Sequence, residues 1–223
     1  MTLLRGIVAL SLLGLIAGCG SSVTTSGKNV KEFFVVTEGW FWQYTNPDHT
    51  EVYEVWSMGE ADRSGETVNV FAWKFADTQA LAEDELANPP ELFFMETFWT
   101  KDDDGVWFWG AGEGDGTGHD DTPWSTEFLD PPLQFGGTDM YAGQTPIEGG
   151  TSGLNWTAEY VEDIDSMDTG AGVFRDVMHI RFVDENESHP FAGDYYLARQ
   201  AGIVQFDLMH HPDQPWTLKK YEQ

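Results

Sequence analysis

The sequence predicts a mainly all-β protein, built as a single curved antiparallel sheet or half-barrel with one short helix. Two observations favour this fold class. Aromatic and apolar residues alternate with polar residues along many short segments, as they do in strands that bury one face. Turn-forming residues separate these segments, and only one segment has the composition of a helix.

The strongest alternation predicts the first strand. Trp40, Trp42 and Tyr44 are two residues apart, so they share one face of a strand. Between two later aromatic segments, Asp102-Asp103-Asp104-Gly105 has the composition of a hairpin turn. The further predicted strands are 52–58, 68–75, 92–99, 106–109, 154–161, 172–183, 191–199 and 203–208, with a last extended segment at 216–221.

One segment favours a helix and another favours a long loop. Residues 80–87 are good helix formers, and Asn88-Pro89-Pro90 ends the predicted helix after about two turns. Residues 110–150 are rich in Gly, Asp and Pro, which predicts mostly loop with one strand at 133–135.

The aromatic content bears on both folding and function. The chain has ten Trp and 15 Phe, enough large apolar side chains to form a core despite its high charge. Two interpretations compete for the Trp-rich strands: a packed core, or an exposed platform or hollow that binds sugar or lipid. The alternation with polar residues favours a core on one face.

Residues 1–18 have the organisation of a secretory signal peptide. Arg5 gives a basic start, residues 6–17 form an uncharged apolar run, and small residues lead into Cys19. The run is shorter than the roughly 20 residues that a membrane-spanning helix needs. Cys19 is the only cysteine in the chain, so no internal disulfide is expected.

Leu15-Ile16-Ala17-Gly18-Cys19 resembles the lipobox of bacterial lipoproteins. The resemblance implies cleavage between Gly18 and Cys19, a diacylglyceryl thioether on Cys19 and acylation of the new amine. Because Gly20 and not Asp follows Cys19, the resemblance also favours the outer membrane in an organism with two membranes. The alternative is an ordinary secretory signal with an unrelated cysteine.

The sequence then divides into three parts: a signal peptide (1–18), a lipidated flexible tether (19–29) and a β-rich globular domain (30–223). Ser, Thr and Gly dominate the tether, as in flexible linkers. The mature chain has ten basic and 38 acidic residues, since only Arg5 is lost with the signal. This balance argues against nucleic acid as a partner. The expected partners are the membrane, through the lipid, and proteins of the cell envelope.

A second resemblance covers the outline of the domain. Residues 33–44, an apolar run followed by Gly and an aromatic strand, are similar to the start of a broad group of uncharacterised β-rich bacterial lipoproteins. Residues 195–204 resemble the group's late hairpin, although Gln200-Ala201 replaces the usual Pro-Gly pair, and residues 130–133 resemble its central proline-rich turn. The resemblance implies a curved antiparallel β domain and carries no activity.

An acidic, Gly-rich segment is the one candidate metal site. Calcium binds six to eight oxygen atoms, often in such loops, but Trp124 replaces the Glu that an EF-hand loop needs at its twelfth position. An irregular calcium loop and a flexible acidic loop both remain as interpretations. The candidate ligands are Glu113, Asp115, Thr117, His119, Asp120 and Asp121.

The remaining motifs do not favour catalysis. The sequence has no Gly-x-Ser-x-Gly, His-Glu-x-x-His or phosphate-loop motif, and its histidines are not spaced as zinc ligands. We therefore expect a membrane-anchored envelope lipoprotein with a non-enzymatic binding or structural role and no cofactor besides the lipid. Two alternatives remain open: a carrier of an apolar ligand, and a carbohydrate hydrolase of the envelope.

Overall fold

The structure, a computed structural model, describes residues 27–47, 51–77, 95–113, 127–151, 154–184, 191–208 and 215–222. These residues form one antiparallel sheet of twelve strands, which confirms the predicted mainly-β fold class. The predicted helix at 80–87 lies outside the described residues. Among the described residues there is no helix with the length and apolar character needed to span a bilayer.

The twelve strands are joined by short turns at several points, for example between β8 and β9 and between β10 and β11, whose bounds follow. They are β1 (Phe41–Thr45), β2 (Glu51–Arg63), β3 (Glu66–Asp77), β4 (Met95–Lys101), β5 (Gly105–Glu113), β6 (Glu127–Gly137), β7 (Ile147–Thr151), β8 (Leu154–Thr169), β9 (Gly172–Asp184), β10 (Gly193–Ala198), β11 (Gly202–Leu208) and β12 (Trp216–Glu222). A short 3₁₀ turn at Val30–Glu32 precedes the first strand.

The order of the strands makes the sheet nearly closed. Strands β6 to β1 follow one another in reverse order, β12 pairs with β1, and β11 to β7 complete the sheet. The two edge strands, β6 and β7, lie side by side although no backbone ladder joins them. The sheet therefore has an inner face, turned toward its own interior, and an outer face.

The inner face forms the main hydrophobic core. Trp40, Trp42 and Tyr44 all belong to it, as their alternation predicts. Phe135 of β6 and Phe182 of β9 lie on distant strands, yet their ring centroids are only 5.5 Å apart. Side chains from different parts of the sheet therefore meet inside it, and the packed-core interpretation of the aromatic strands is confirmed.

The prediction of loop over 110–150 is partly wrong. Strand β6 occupies 127–137 and β7 begins at Ile147. Strand β6 includes Asp130-Pro131-Pro132, where the register against β5 shifts between Phe108 and Gly110. Proline lacks the N–H that an interior ladder needs, but an edge strand with a bulge accommodates it.

Two predicted turns are confirmed. The Asp102 amide donates to the Gly105 carbonyl at 3.0 Å, and the Asp102 carboxylate accepts from the Asp104 and Gly105 amides. Gly202, which begins β11, has φ +79°, a conformation that glycine adopts without steric cost. The turn before it contains Gln200, which also has positive φ, in place of a Pro-Gly pair.

Replacing Phe135 tests the filled interior. The side chain is 0% exposed and contacts Phe34 and Phe182. We expect Phe135→Ala to lower the free energy of unfolding by about 3–5 kcal/mol, because it leaves a cavity that the closed sheet cannot collapse. Val173→Ala, at a side chain that is 62% exposed, is the control and should change stability by less than about 0.5 kcal/mol. Chemical denaturation measures both, and equal effects would contradict the packed interior.

Candidate functional site

The predicted site residues lie mostly outside the described part of the chain. Gly18 and Cys19 precede residue 27, where the description begins. Glu113 is the last residue of β5, and the other five calcium candidates, Asp115, Thr117, His119, Asp120 and Asp121, lie outside the described ranges. The structure therefore shows how the chain that follows Cys19 joins the sheet, but not the geometry of these residues.

The chain enters the sheet at one end, which we call the entry end. It comprises the starts of β1 and β5, the ends of β4, β6 and β12, and the turn between β10 and β11. Lys28 joins it through a two-way backbone pairing with Met140, in the connection between β6 and β7. The Lys28 amide donates to the Met140 carbonyl at 2.7 Å, and the Met140 amide donates back at 2.9 Å.

The Lys28 side chain fixes this junction to β8 and β9. Its ammonium group forms ion pairs with Asp163 and with Asp176, the latter at 2.6 Å, and is itself largely buried. The Asp163 carboxylate also accepts a hydrogen bond from the Tyr160 hydroxyl. Burial alone would raise the pKa of Asp163, but the bonds from Lys28 and Tyr160 outweigh it and hold the pKa below its ordinary value.

Arg199 makes a second connection to the same segment. Its guanidinium pairs with Glu32 and, at 3.2 Å, with Asp176. It also lies 4.4 Å from the centroid of the Phe33 ring, a cation–π contact. The two basic side chains therefore attach the segment after residue 27 to the same part of the entry end.

Apolar side chains of this segment close the interior at the entry end. Val30 and Phe33 are fully buried. The Phe34 ring lies 4.9 Å from the ring of Trp99 and 6.0 Å from that of Phe71, both centroid to centroid. A methyl group added at Gly136 would lie 2.8 Å from the Val30 side chain, so glycine is needed where the segment crosses β6.

A small cavity remains inside the sheet. Its volume is about 30 Å³, and its walls are almost wholly apolar. A water molecule needs roughly 10–15 Å³ measured in this way, so the space admits about two waters. The lining residues are Phe34, Val35, Trp42, Tyr44, Val55, Phe71, Trp73, Trp99, Gly202 and Ile203.

The outer face carries a polar cluster that no sequence motif singles out. His179 of β9 is 5% exposed, and its Nε2 lies 2.6 Å from an Asp194 carboxylate oxygen on β10. Arg181 donates to the same carboxylate at 3.0 Å. The ring of Tyr196 stacks on the imidazole with centroids 4.4 Å apart. The other imidazole nitrogen, Nδ1, is buried without a hydrogen bond and lies 3.7 Å from Glu162.

Burial and hydrogen bonding shift the pKa of Asp194 in opposite directions. Burial alone would raise its pKa, but hydrogen bonds from His179 and Arg181 lower it below the ordinary value. Asp207, on the neighbouring strand, has a raised pKa because of burial and the nearby charge of Asp194. The cluster thus holds the ionised carboxylate of Asp194, on β10, between a histidine and an arginine that both lie on the neighbouring strand β9.

This arrangement fixes the orientation of an imidazole, as acid–base and metal sites do. Within the described ranges, however, no group of three or more His, Cys, Asp or Glu side chains could hold a metal ion. Only the alternation of His179 with Arg181, and of Asp194 with Tyr196, marks these residues in the sequence. Recognising the cluster also requires the register that places β9 beside β10.

Comparison with known proteins adds little to this description. No protein-family model and no curated protein matches the sequence. Two solved structures show a likeness, each with a TM-score of 0.34. One, a provisionally assigned lipoprotein from Parabacteroides distasonis, is 11% identical over 85% of this chain and 98% of its own. The other, a provisionally assigned exported protein with a YmcC-like fold from Bacteroides fragilis, is 12% identical over 86% and 99%. At this score neither likeness assigns the chain to a family.

Removing the Lys28 charge tests how firmly residues 28–34 are held at the entry end. We expect Lys28→Met to lower the free energy of unfolding by about 1–3 kcal/mol, because Asp163 and Asp176 lose the cation with which they form ion pairs. Hydrogen exchange at the Lys28 and Met140 amides should also accelerate. Lys219→Met, at an exposed lysine, is the control. Unchanged exchange at the two amides in Lys28→Met would show that the ion pairs do not hold the segment.

The polar cluster predicts a pH-dependent contribution to stability. The folded-state pKa of Asp194 lies below its unfolded value of about 3.9, so its stabilisation is present above that pH and is lost as pH falls through the folded value. We expect Asp194→Asn to cost about 1–3 kcal/mol at pH 7 and progressively less below about pH 4. Denaturation at several pH values measures this difference. The exposed Asp165→Asn is the control, and a cost that does not change with pH would contradict the assignment.

Proposed function

We propose that the chain is a cell-envelope lipoprotein, anchored through acyl chains on Cys19, whose β domain has a non-enzymatic binding or structural role. The lipobox supports the anchor, and the filled interior of the sheet supports the role. In an organism with two membranes, Gly20 after the lipidated cysteine favours the outer membrane.

The observation that carries the role is the packing of aromatic rings inside the described sheet. Sites for small ligands are usually hundreds of cubic ångströms in volume. Here, aromatic rings fill the interior, and the cavity of about 30 Å³ admits only water. This supports a domain that acts through its ends and outer face, and it disfavours transport of an acyl chain within the sheet.

The charge of the domain is consistent with a lipid anchor. The mature chain has 28 more acidic than basic residues, which repels anionic head groups. Membrane affinity must therefore come from covalent lipid, and each acyl methylene that inserts contributes about 0.8 kcal/mol. Two or three chains on one residue would hold such an acidic domain at a bilayer.

Replacing the lipidated cysteine tests this proposal. Expressed in a bacterium with two membranes, the wild type should carry acyl chains on an N-terminal Cys19 by mass spectrometry and should sediment with the outer membrane. Cys19→Ser should be unacylated and should leave the membrane fraction. The control is Cys19→Ser combined with Ser22→Cys, which keeps a thiol in the tether but removes it from the lipobox.

The outcomes separate the parts of the proposal. A wild type that retains Met1, or a mature N-terminus without fatty acid, would contradict the anchor. Acylation of the double variant would show that any nearby thiol suffices and that the lipobox is not recognised. Affinity capture of cross-linked wild-type protein from envelopes tests the role, and recovery of a bound apolar small molecule in stoichiometric amount would favour a carrier instead.

A further inference from the structure

We propose that the entry end is the face that the domain lays against the membrane, with the tip of the β8–β9 hairpin and the β6–β7 connection in contact with lipid. This inference rests on the proposed function, since its partner is the bilayer that holds the acyl chains. It adds an orientation and a contact surface, which a flexible tether alone does not provide.

The length of the tether limits how far the domain can lie from the bilayer. Eight residues, Cys19 to Ser26, separate the lipidated sulfur from Gly27. A fully extended chain of this length spans at most about 27 Å. Because Lys28 is already paired with Met140, the entry end is the part of the sheet that this tether brings to the membrane.

Exposed apolar side chains of the described residues lie at the same end. The most exposed large apolar residues of the described chain are Met58, Tyr141, Val173 and Tyr221. Met58 lies beyond the point where β2 leaves β1, Tyr141 lies in the β6–β7 connection, and Tyr221 lies near the end of β12. Val173, at the tip of the β8–β9 hairpin, is 62% exposed. The described core does not cover these four side chains, whereas a lipid surface would.

Basic residues also concentrate there. Of the ten in the mature chain, Lys74, Arg181, Lys219 and Lys220 lie along strands of the sheet. The other six are Lys28, Lys31, Arg63, Lys101, Arg175 and Arg199, and all belong to the entry end or to hairpins that project from it. Acidic residues outnumber basic ones at this end too, but by less than in the rest of the chain, so the repulsion of anionic head groups is weakest here.

The projecting hairpin is held in a fixed position. Residues 164–175 extend beyond the end of β10, and the tip folds onto β12, where the Ala171 amide donates to the Leu218 carbonyl at 3.1 Å. Phe174 contacts Tyr221, with ring centroids 6.0 Å apart. Val173 therefore projects from a braced hairpin, beside an amphipathic tyrosine of the kind enriched at membrane interfaces.

Site-specific fluorescence on the acylated protein tests the orientation. In acylated protein the Cys19 sulfur is a thioether and does not react with maleimide, so Val173→Cys provides the one reactive thiol for a polarity-sensitive dye. The matched control is Asn155→Cys, an exposed position where β7 turns into β8 at the opposite end of the sheet. Each labelled protein is reconstituted into phosphatidylethanolamine–phosphatidylglycerol vesicles and titrated with iodide, an aqueous quencher.

The proposal predicts that vesicles shift the emission at position 173 to the blue and reduce iodide quenching there severalfold, with no change at position 155. The same labels in a Cys19→Ser background should be unaffected by vesicles. Equal accessibility at the two positions, or shielding of position 155, in protein that is acylated and vesicle-bound would overturn the orientation and leave the anchor intact. Mass spectrometry of the same sample shows whether it is acylated; unacylated protein would overturn both proposals.

Discussion

The structure depends on one constraint: a sheet that closes on itself must fill its own interior. Here aromatic rings do so, and Phe135 and Phe182 from distant strands pack within 5.5 Å of each other. The edge strands can then lie side by side, with prolines in β6 and glycines in β7. Phe34 and its neighbours fill the remaining opening at the entry end. Close packing of this kind leaves little space for anything but solvent.

Because the interior is filled, the polar cluster and the chain entry both lie at the periphery of the described sheet. The His179–Asp194 pair lies on the outer face, where its main role in the described structure is to join β9 to β10 through charged hydrogen bonds. Residues 28–34 lie at the entry end, where Lys28 and Arg199 both form ion pairs with Asp176 of the β8–β9 hairpin. The same contacts that complete the core thus also fix where these residues join the domain.

Local features of the fold could be predicted from the sequence. Features that depend on the pairing of strands far apart in the chain could not. Alternation placed Trp42 on the correct face because neighbouring positions of a strand point in opposite directions. It could not show that the Trp42 indole donates to the carbonyl of Ala201, 159 residues later, because this contact requires β1 to pair with β12. The Gly-, Asp- and Pro-rich composition of residues 110–150 predicted a loop, because composition alone does not show that Pro131 lies in an edge strand. The His179–Asp194 pair likewise needs a strand register that no local pattern encodes. By contrast, the resemblance of residues 15–19 to a lipobox is a linear pattern, so it can be recognised without knowledge of the fold.

The interior of the described sheet is packed with aromatic rings, and a binding titration tests most directly whether it excludes a ligand. Purified, unlipidated Cys19→Ser protein is titrated with a fluorescent long-chain fatty acid while the quenching of its tryptophans is followed. The filled interior predicts no saturable binding and no quenching beyond that of free tryptophan under the same conditions. Saturable one-to-one binding, with quenching of the buried tryptophans, would show that the interior opens to an apolar ligand and would contradict the account.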